Sequence, residues 1–343
     1  MQESYKLEHK QLSARYRRRM AILLAITIIV ILISFWIGYY PLSPSQVWKA
    51  FLTGLGHTTD VESQAVTIFW KIRLPRILSA MLIGSTLSVS GSVYQGMFQN
   101  PLVSPDILGV SAGASLGAAC SIFFGFPYWS TQIFAFIGGL TAVLLSYLIS
   151  RNTVHSQTLS LVLTGTMITA LCNSVVTMIK YLSDPNDVLQ QITFWLMGSL
   201  TKVNMEGVLW SAPPMLIGMV VIILLRWRLN LLSLNDEEAQ SLGMNPRRFR
   251  LLFIMASTLL SASAVCLGGL IGWVGLMIPH MARAIFGSDY RRLIPGCILL
   301  GGSFLLIMDN IARSLLTLEL PIGVVTSFLG APFFVALILK RRK

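Results

Sequence analysis

The chain has 343 residues, of which 54% are hydrophobic and only 12% charged, with a mean hydropathy of +0.70 and a formal net charge of +12. Soluble domains carry about 25% charged residues, so this composition excludes a water-soluble globular protein and points to a chain solvated by lipid. The basic surplus does not read as a nucleic-acid patch, because its residues sit at the ends of uncharged runs, where they set membrane topology.

A spanning helix needs about 20 mostly apolar residues. Residues 1–19 form a basic tail, and the first uncharged run, 20–48, follows it. No small-residue cleavage site comes after that run, so it reads as a retained anchor, not a removed leader. Arg73-Leu-Pro-Arg76 opens the second run, 77–105. Pro75 suits a first helical turn, where no backbone donor is lost. Arg73 and Arg76, three apart, project from neighbouring positions at one helix end. An exposed basic cluster there could grip carboxylates of a delivery protein, or simply anchor at lipid headgroups. The run 107–150 is long enough for two helices, with Gly125-Phe-Pro127 marking the turn between them. Within it Gly109, Gly113 and Gly117 recur at four-residue spacing, which lets helices approach closely in lipid. Runs 152–179 and 207–225 follow.

Between Arg226 and Arg250 a charged stretch interrupts the apolar sequence. Asn235 is placed to cap a short helix begun by Asp236, Glu237 and Glu238, with Gly243 as its stop and Pro246 just beyond. Residues 230–246 thus read as a structured loop facing water, a handle that a transporter driven by a soluble motor needs and a passive channel does not. The run 251–282 is too long for one straight crossing, and Gly268, Gly269, Gly272 and Gly275 offer a break. Runs 293–308 and 320–339 complete the set before the basic tail 340–343. The count is ten spans within residues 20–339, an even number that puts both termini on one side. With that side taken as cytoplasmic, 19 Lys and Arg residues lie inside and 7 outside, which satisfies the positive-inside rule and places 230–246 in the cytoplasm.

Few residues in the runs carry chemistry. Asp309 and Arg313, four apart near the outer end of the ninth span, read as a structural ion pair, since intramembrane carboxylates are costly unless paired. The four cysteines, Cys120, Cys172, Cys266 and Cys297, are scattered through apolar runs and read as packing residues. His280 has no partner at ligand spacing, and no metal or cofactor site is expected. There is neither a Gly-x-x-x-x-Gly-Lys-Ser/Thr phosphate loop nor a His-Glu-x-x-His motif. The chain is therefore not expected to hydrolyse ATP or to act as an enzyme.

From about residue 45 to its end the chain resembles the FecCD family, the permease subunits of ABC importers for iron-siderophores, haem and cobalamin. The stretches that carry the resemblance are Arg73-Leu-Pro-Arg76, Ser90-Gly91 with Gln95, Asn100-Pro-Leu102 through Pro105, Gly272-Trp-Val-Gly-Leu276 with Pro279-His280 and Arg283, Asp309 with Arg313, and Glu319-Leu-Pro-Ile-Gly323 with Gly330-Ala-Pro-Phe333. The resemblance implies an all-α membrane protein with the ten-helix, BtuC-like permease fold. It implies a second permease subunit, identical or paralogous, with a pathway between the two. Two copies of a separate cytoplasmic ATPase would bind beneath, and an extracytoplasmic binding protein would deliver the cargo. The loop between spans six and seven would form two short helices seated on the ATPases, here with Glu237, Glu238, Ala239, Leu242 and Gly243 at its centre. Arg73, Arg76 and Arg313 would pair with glutamates of the binding protein. The cytoplasmic gate would be built from Asn100, Pro101 and Leu102 and from Gln157 and Thr158. Gln99 and Tyr290 depart from the residues common at their places.

The pathway wall is expected on the fifth span, with Thr164, Thr166, Thr169, Asn173 and Thr177. The expected function is import of a ferric siderophore across a bacterial cytoplasmic membrane by alternating access, with cobalamin or haem as other cargoes of the same class. An ATP-independent secondary transporter is the alternative of another class, and the near-absence of intramembrane charge argues against it.

Overall fold

In the computed structural model, which describes residues 2–38, 40, 42–57, 61–151, 157–234, 236–316 and 318–340, all regular elements among the described residues are helical. In chain order they are α1 (Gln2–Ser34), α2 (Pro44–Gly54), α3 (Ser63–Thr67), a π-helical turn (Ile68–Arg73), α4 (Leu74–Met97), a 3-10 turn (Pro105–Leu108), α5 (Val110–Phe123) and α6 (Tyr128–Arg151). There follow α7 (Gln157–Leu182), α8 (Val188–Leu196), α9 (Met205–Leu232), α10 (Asp236–Ser241), α11 (Pro246–Gly268), α12 (Val274–Phe286), α13 (Tyr290–Ser314) and α14 (Ile322–Lys340). Among the described residues six stretches are long and apolar enough to cross a membrane: Ser63–Met97, Tyr128–Arg151, Thr158–Leu182, Met205–Leu232, Pro246–Gly268 and Tyr290–Ser314. Val110–Phe123, Val274–Phe286 and Ile322–Ala336 are shorter apolar helices.

Two glycine-marked breaks fall where the sequence puts them. The run 107–150 folds as α5 and α6 on either side of Gly125, and the run 251–282 divides between Gly268 and Val274. Two expectations need correction. The run 20–48 is not one helix: α1 ends at Ser34, and a separate α2 starts at Pro44, capped by a reciprocal Ser43–Gln46 box. Nor does Arg73 open the second span, because helical backbone already runs through α3 and the π-turn before it. Pro75 then sits at the start of α4 proper, where its ring is tolerated. The proposed cap Asn235 lies outside the described residues.

The centre of the fold is α4, packed on α9, α11, α12 and α13, with 83% of its most apolar window buried. Its small residues explain why. A Cβ on Gly91 would sit 1.7 Å from the Gly275 carbonyl oxygen, so α4 and α12 meet backbone to backbone only because neither has a side chain there. Serines stitch α4 to α13: Ser85 Oγ donates to the Ile298 carbonyl at 2.7 Å and Ser88 Oγ to that of Cys297 at 3.0 Å. The four-residue glycine repeat does the same for the α5–α6 hairpin, where a Cβ on Gly113 or Gly117 would press on the carbonyls of Gly138 and Phe134. By contrast, only about a third of the corresponding windows of α6 and α9 is buried. Their outer faces carry exposed Ile137, Leu144, Leu209 and Leu216, as helices bordering lipid should.

Candidate functional site

At the end of the bundle where α4 begins and α13 ends, charged residues are gathered out of solvent. Arg76 Nε donates to both oxygens of Asp309, at 2.9 and 3.1 Å, and its Nη1 donates to both oxygens of Glu319, at 3.0 and 2.8 Å. Arg313 Nε lies 3.8 Å from Asp309 Oδ2, and its Nη2 donates to the Ser34 carbonyl at 2.8 Å. Arg73 donates to the carbonyls of Phe35 and Tyr40. Thr201 Oγ1 completes the ring by donating to Glu319 at 3.0 Å. The side chains thus join α1, α4, α13 and the loops before α9 and α14.

This arrangement corrects one expectation and extends another, the Asp309–Arg313 pair, which is present at 3.8 Å. Arg73, Arg76 and Arg313 are not an exposed cluster, since they are only 3%, 6% and 8% exposed. Asp309, wholly buried, is paired first with Arg76 and only more distantly with Arg313. A charge withdrawn from water demands a counter-charge and hydrogen bonds: Arg76 has both Asp309 and Glu319, Arg313 has Asp309 at 3.8 Å, and Arg73 is held by the carbonyls of Phe35 and Tyr40. Glu319, a single carboxylate in an apolar stretch, is a partner the sequence does not single out, and it is the most exposed of the charged members, at 39% of its side chain.

The opposite end carries the loop between α9 and α11. Among the described residues one short helix, α10, forms here, not two, and Asn245 caps α11 from Pro246 onward. Ala239 is buried beneath it, while Glu237, Glu238, Leu242 and Gly243 are exposed. Arg250 reaches back from α11 to Asp236, with Nη2 donating at 3.0 Å. Beside this loop lies the turn after α4, in which Asn100 and Leu102 are exposed and Pro101 half-buried. Asn100 Oδ1 accepts from the Leu102 amide at 2.9 Å. Gln99 Nε2 donates to the Leu234 carbonyl at 2.9 Å, so this turn and the α9–α10 connection are in direct contact. Thr158 is half-buried at the start of α7, and the Gln157 side chain lies outside the described residues.

Along α7, Thr166, Asn173 and Thr177 share one exposed face, and Thr169 is half-buried at its margin. Thr164 is not on that face: it is buried, and its hydroxyl donates to the Ser146 carbonyl of α6 at 3.0 Å. A second open surface lies where the end of α8, the α11–α12 connection and α14 meet. It holds a cavity of about 640 Å³ lined by Met197, Gly272, Gly323, Ser327 and Phe328 among others. His280 packs edge-on to Phe333, and all four cysteines are free.

The FecCD transport family matches residues 26–340. The chain belongs to this family. It is 37% identical over 325 residues to the molybdate import system permease protein MolB of Haemophilus influenzae, covering 94% of this chain and 96% of that one. It is 36% identical to the hemin transport system permease protein HmuU of Yersinia pestis, covering 95% and 97%. A solved structure described as a metal-chelate type ABC transporter in an inward-facing conformation superposes with a TM-score of 0.86 at 36% identity, covering 94% of this chain and 99% of that one. As a FecCD member the chain is a membrane permease of the ABC importer type, and the cargoes named for its relatives differ.

Proposed function

We propose that this permease imports a ferric siderophore, received from an extracytoplasmic binding protein and driven by two copies of a cytoplasmic ATPase beneath a pair of permeases. On this reading ten helices cross the membrane: the six long apolar stretches, the three shorter ones, and the apolar second half of α1. Both termini and α10 then face the cytoplasm. The observation that carries the reading is α10 itself, a short acidic helix held by its buried Ala239 and by Arg250 while Glu237, Glu238 and Leu242 project outward. Such a projection at the basic end of the bundle suits docking into a soluble partner. The gate is assigned to Asn100, Pro101, Leu102, Gln157 and Thr158, and the pathway wall to the α7 face of Thr166, Thr169, Asn173 and Thr177. Weakly polar walls suit a bulky cargo that must not be held tightly.

Docking at the outer end is retained in altered form. With Arg76 already occupied, a carboxylate of the binding protein has to displace Glu319, the accessible partner, instead of meeting a free arginine. Cargo is tested by uptake of labelled ferric siderophore, haem, cobalamin and molybdate into proteoliposomes holding the permease, its ATPase and the binding protein. Preferential uptake of the ferric chelate, dependent on ATP and blocked by vanadate, supports the proposal. Transport by the permease alone, without nucleotide, would sink it in favour of a secondary transporter.

A further inference from the structure

Four helices among the described residues end in the same hydrogen-bonded turn, in which the residue after the cap donates to the carbonyl three back and the next residue to the carbonyl five back. After α2 the pair is Gly56 to Thr53 and His57 to Leu52; after α5 it is Gly125 to Ile122 and Phe126 to Ser121; after α10 it is Gly243 to Gln240 and Met244 to Ala239. After α4 it is Gln99 to Gly96, at 3.2 Å, and Asn100 to Gln95, at 3.1 Å. The turn requires a left-handed residue, with φ of +91°, +70° and +78° at the three glycines and +51° at Gln99. That conformation penalises any residue with a Cβ, which is why glycine dominates the position. Gln99 stands where the backbone alone selects glycine, so its side chain must be the reason for it.

The side chain reaches the Leu234 carbonyl, two residues before α10 begins. Beyond the Asn100 bond to Gln95 of α4, the turn that follows Gln99 is bonded within itself, through Leu102 to Asn100 Oδ1 at 2.9 Å and Val103 to the Asn100 carbonyl at 3.3 Å. Nearby, Asn230 fastens the end of α9 to α13, donating to Asp289 at 2.9 Å and accepting from the Tyr290 amide at 3.1 Å. The end of α9 is thus strutted toward α13 by Asn230, and the connection that follows it is tied to the gate turn through Leu234.

We propose that Gln99 is the positioning residue that ties the gate turn Asn100–Leu102 to the ATPase-facing platform, so that displacement of α10 is passed to the gate through the Gln99–Leu234 bond. The proposal rests on the reading of α10 as the ATPase contact and adds the link between contact and gate. Both partners are neutral, so the bond breaks and reforms without stranding a charge, as a cycling link requires.

The test uses Gln99→Gly and Gln99→Glu in the complex with its ATPase, reconstituted in liposomes. Gln99→Gly keeps the left-handed turn and removes the amide. Its melting temperature should be unchanged or raised and its ATP hydrolysis retained, while cargo moved per ATP falls about fivefold, the factor one ordinary hydrogen bond is worth. Gln99→Glu keeps the reach but not the donor, and should uncouple in the same way. A purely structural role gives a different result, because glycine is the better residue there: a stabilised permease with wild-type coupling overturns the proposal. If the wild-type chain recruits no ATPase, the proposed function fails, and the link is still read by amide hydrogen exchange of the permease alone. Residues 100–103 should exchange faster in Gln99→Gly than in wild type, and equal exchange refutes the link.

Discussion

The two ends of the helix bundle are held by different physics. At the start of α4, three buried arginines, a fully buried aspartate and a half-exposed glutamate form a ring of charge-assisted bonds across α1, α4 and α13. At the other end the gate turn meets the α9–α10 connection through one neutral hydrogen bond, and α10 meets α11 through an ion pair whose aspartate is half-exposed. Breaking the first leaves uncompensated charge in a low-dielectric interior, whereas breaking the second exchanges one hydrogen bond for another with water. A machine driven from one side should be stiff at the far end and compliant where force enters, and the distribution of charge follows that pattern.

The most severe way to test the contrast is to empty the ring. Asp309→Ala should strand Arg313, leave Arg76 with Glu319 as its carboxylate, and destabilise the protein by about 3–5 kcal/mol, read as a lower melting temperature of the purified permease. A loss under about 1 kcal/mol would mean that the outer end is no stiffer than the inner. Next in size is Gly91→Ala. The new methyl would fall 1.7 Å from the Gly275 oxygen, a backbone atom that moves only with α12. Forced overpacking of this kind costs about 1–3 kcal/mol, so the variant should melt earlier and accumulate poorly. Smaller again is Glu319→Gln, which leaves Asp309 to neutralise Arg76 and should cost about 1 kcal/mol. If docking proceeds by carboxylate exchange, the same variant should bind its delivery protein about fivefold more tightly, the equivalent of one bond no longer displaced. Unchanged or weaker binding, measured by surface plasmon resonance on nanodiscs, would remove that docking route.

The sequence makes the same contrast visible at one end only. The spans are legible because lipid tolerates few charges, so uncharged runs and their glycine breaks locate α5, α6, α11 and α12. The stop of α10 is legible because Gly243 is a left-handed residue in a charged stretch. The outer ring was not, since an arginine at a helix end looks exposed until its partners are placed. Asp309 and Glu319 stand 233 and 243 residues from Arg76 and come near only when α13 packs on α4. The burial of Thr164 was within reach. Thr166, Asn173 and Thr177 recur at helical spacing on one face, and Thr164 falls out of phase with them. Gln99 departs from the residue common at its place, but the meaning of that departure depends on a left-handed φ that no local pattern announces.

The smallest change in stability is expected where the functional consequence should be large. Glu237 and Glu238 project from α10 with no side-chain bond to the other described residues that would be lost on truncation, so replacing both with alanine should shift stability by no more than about 0.5 kcal/mol. Arg250–Asp236 and the buried Ala239 keep the helix in place in that variant. ATPase association, followed by co-purification in detergent, should nevertheless fall, because the acidic face is what α10 offers to a partner. Stability and association are then separated in one protein, which the outer ring does not allow, since every substitution there disturbs the fold. A double-alanine variant that holds its ATPase and transports normally would show that the compliant end is merely loose, and that force enters the permease elsewhere.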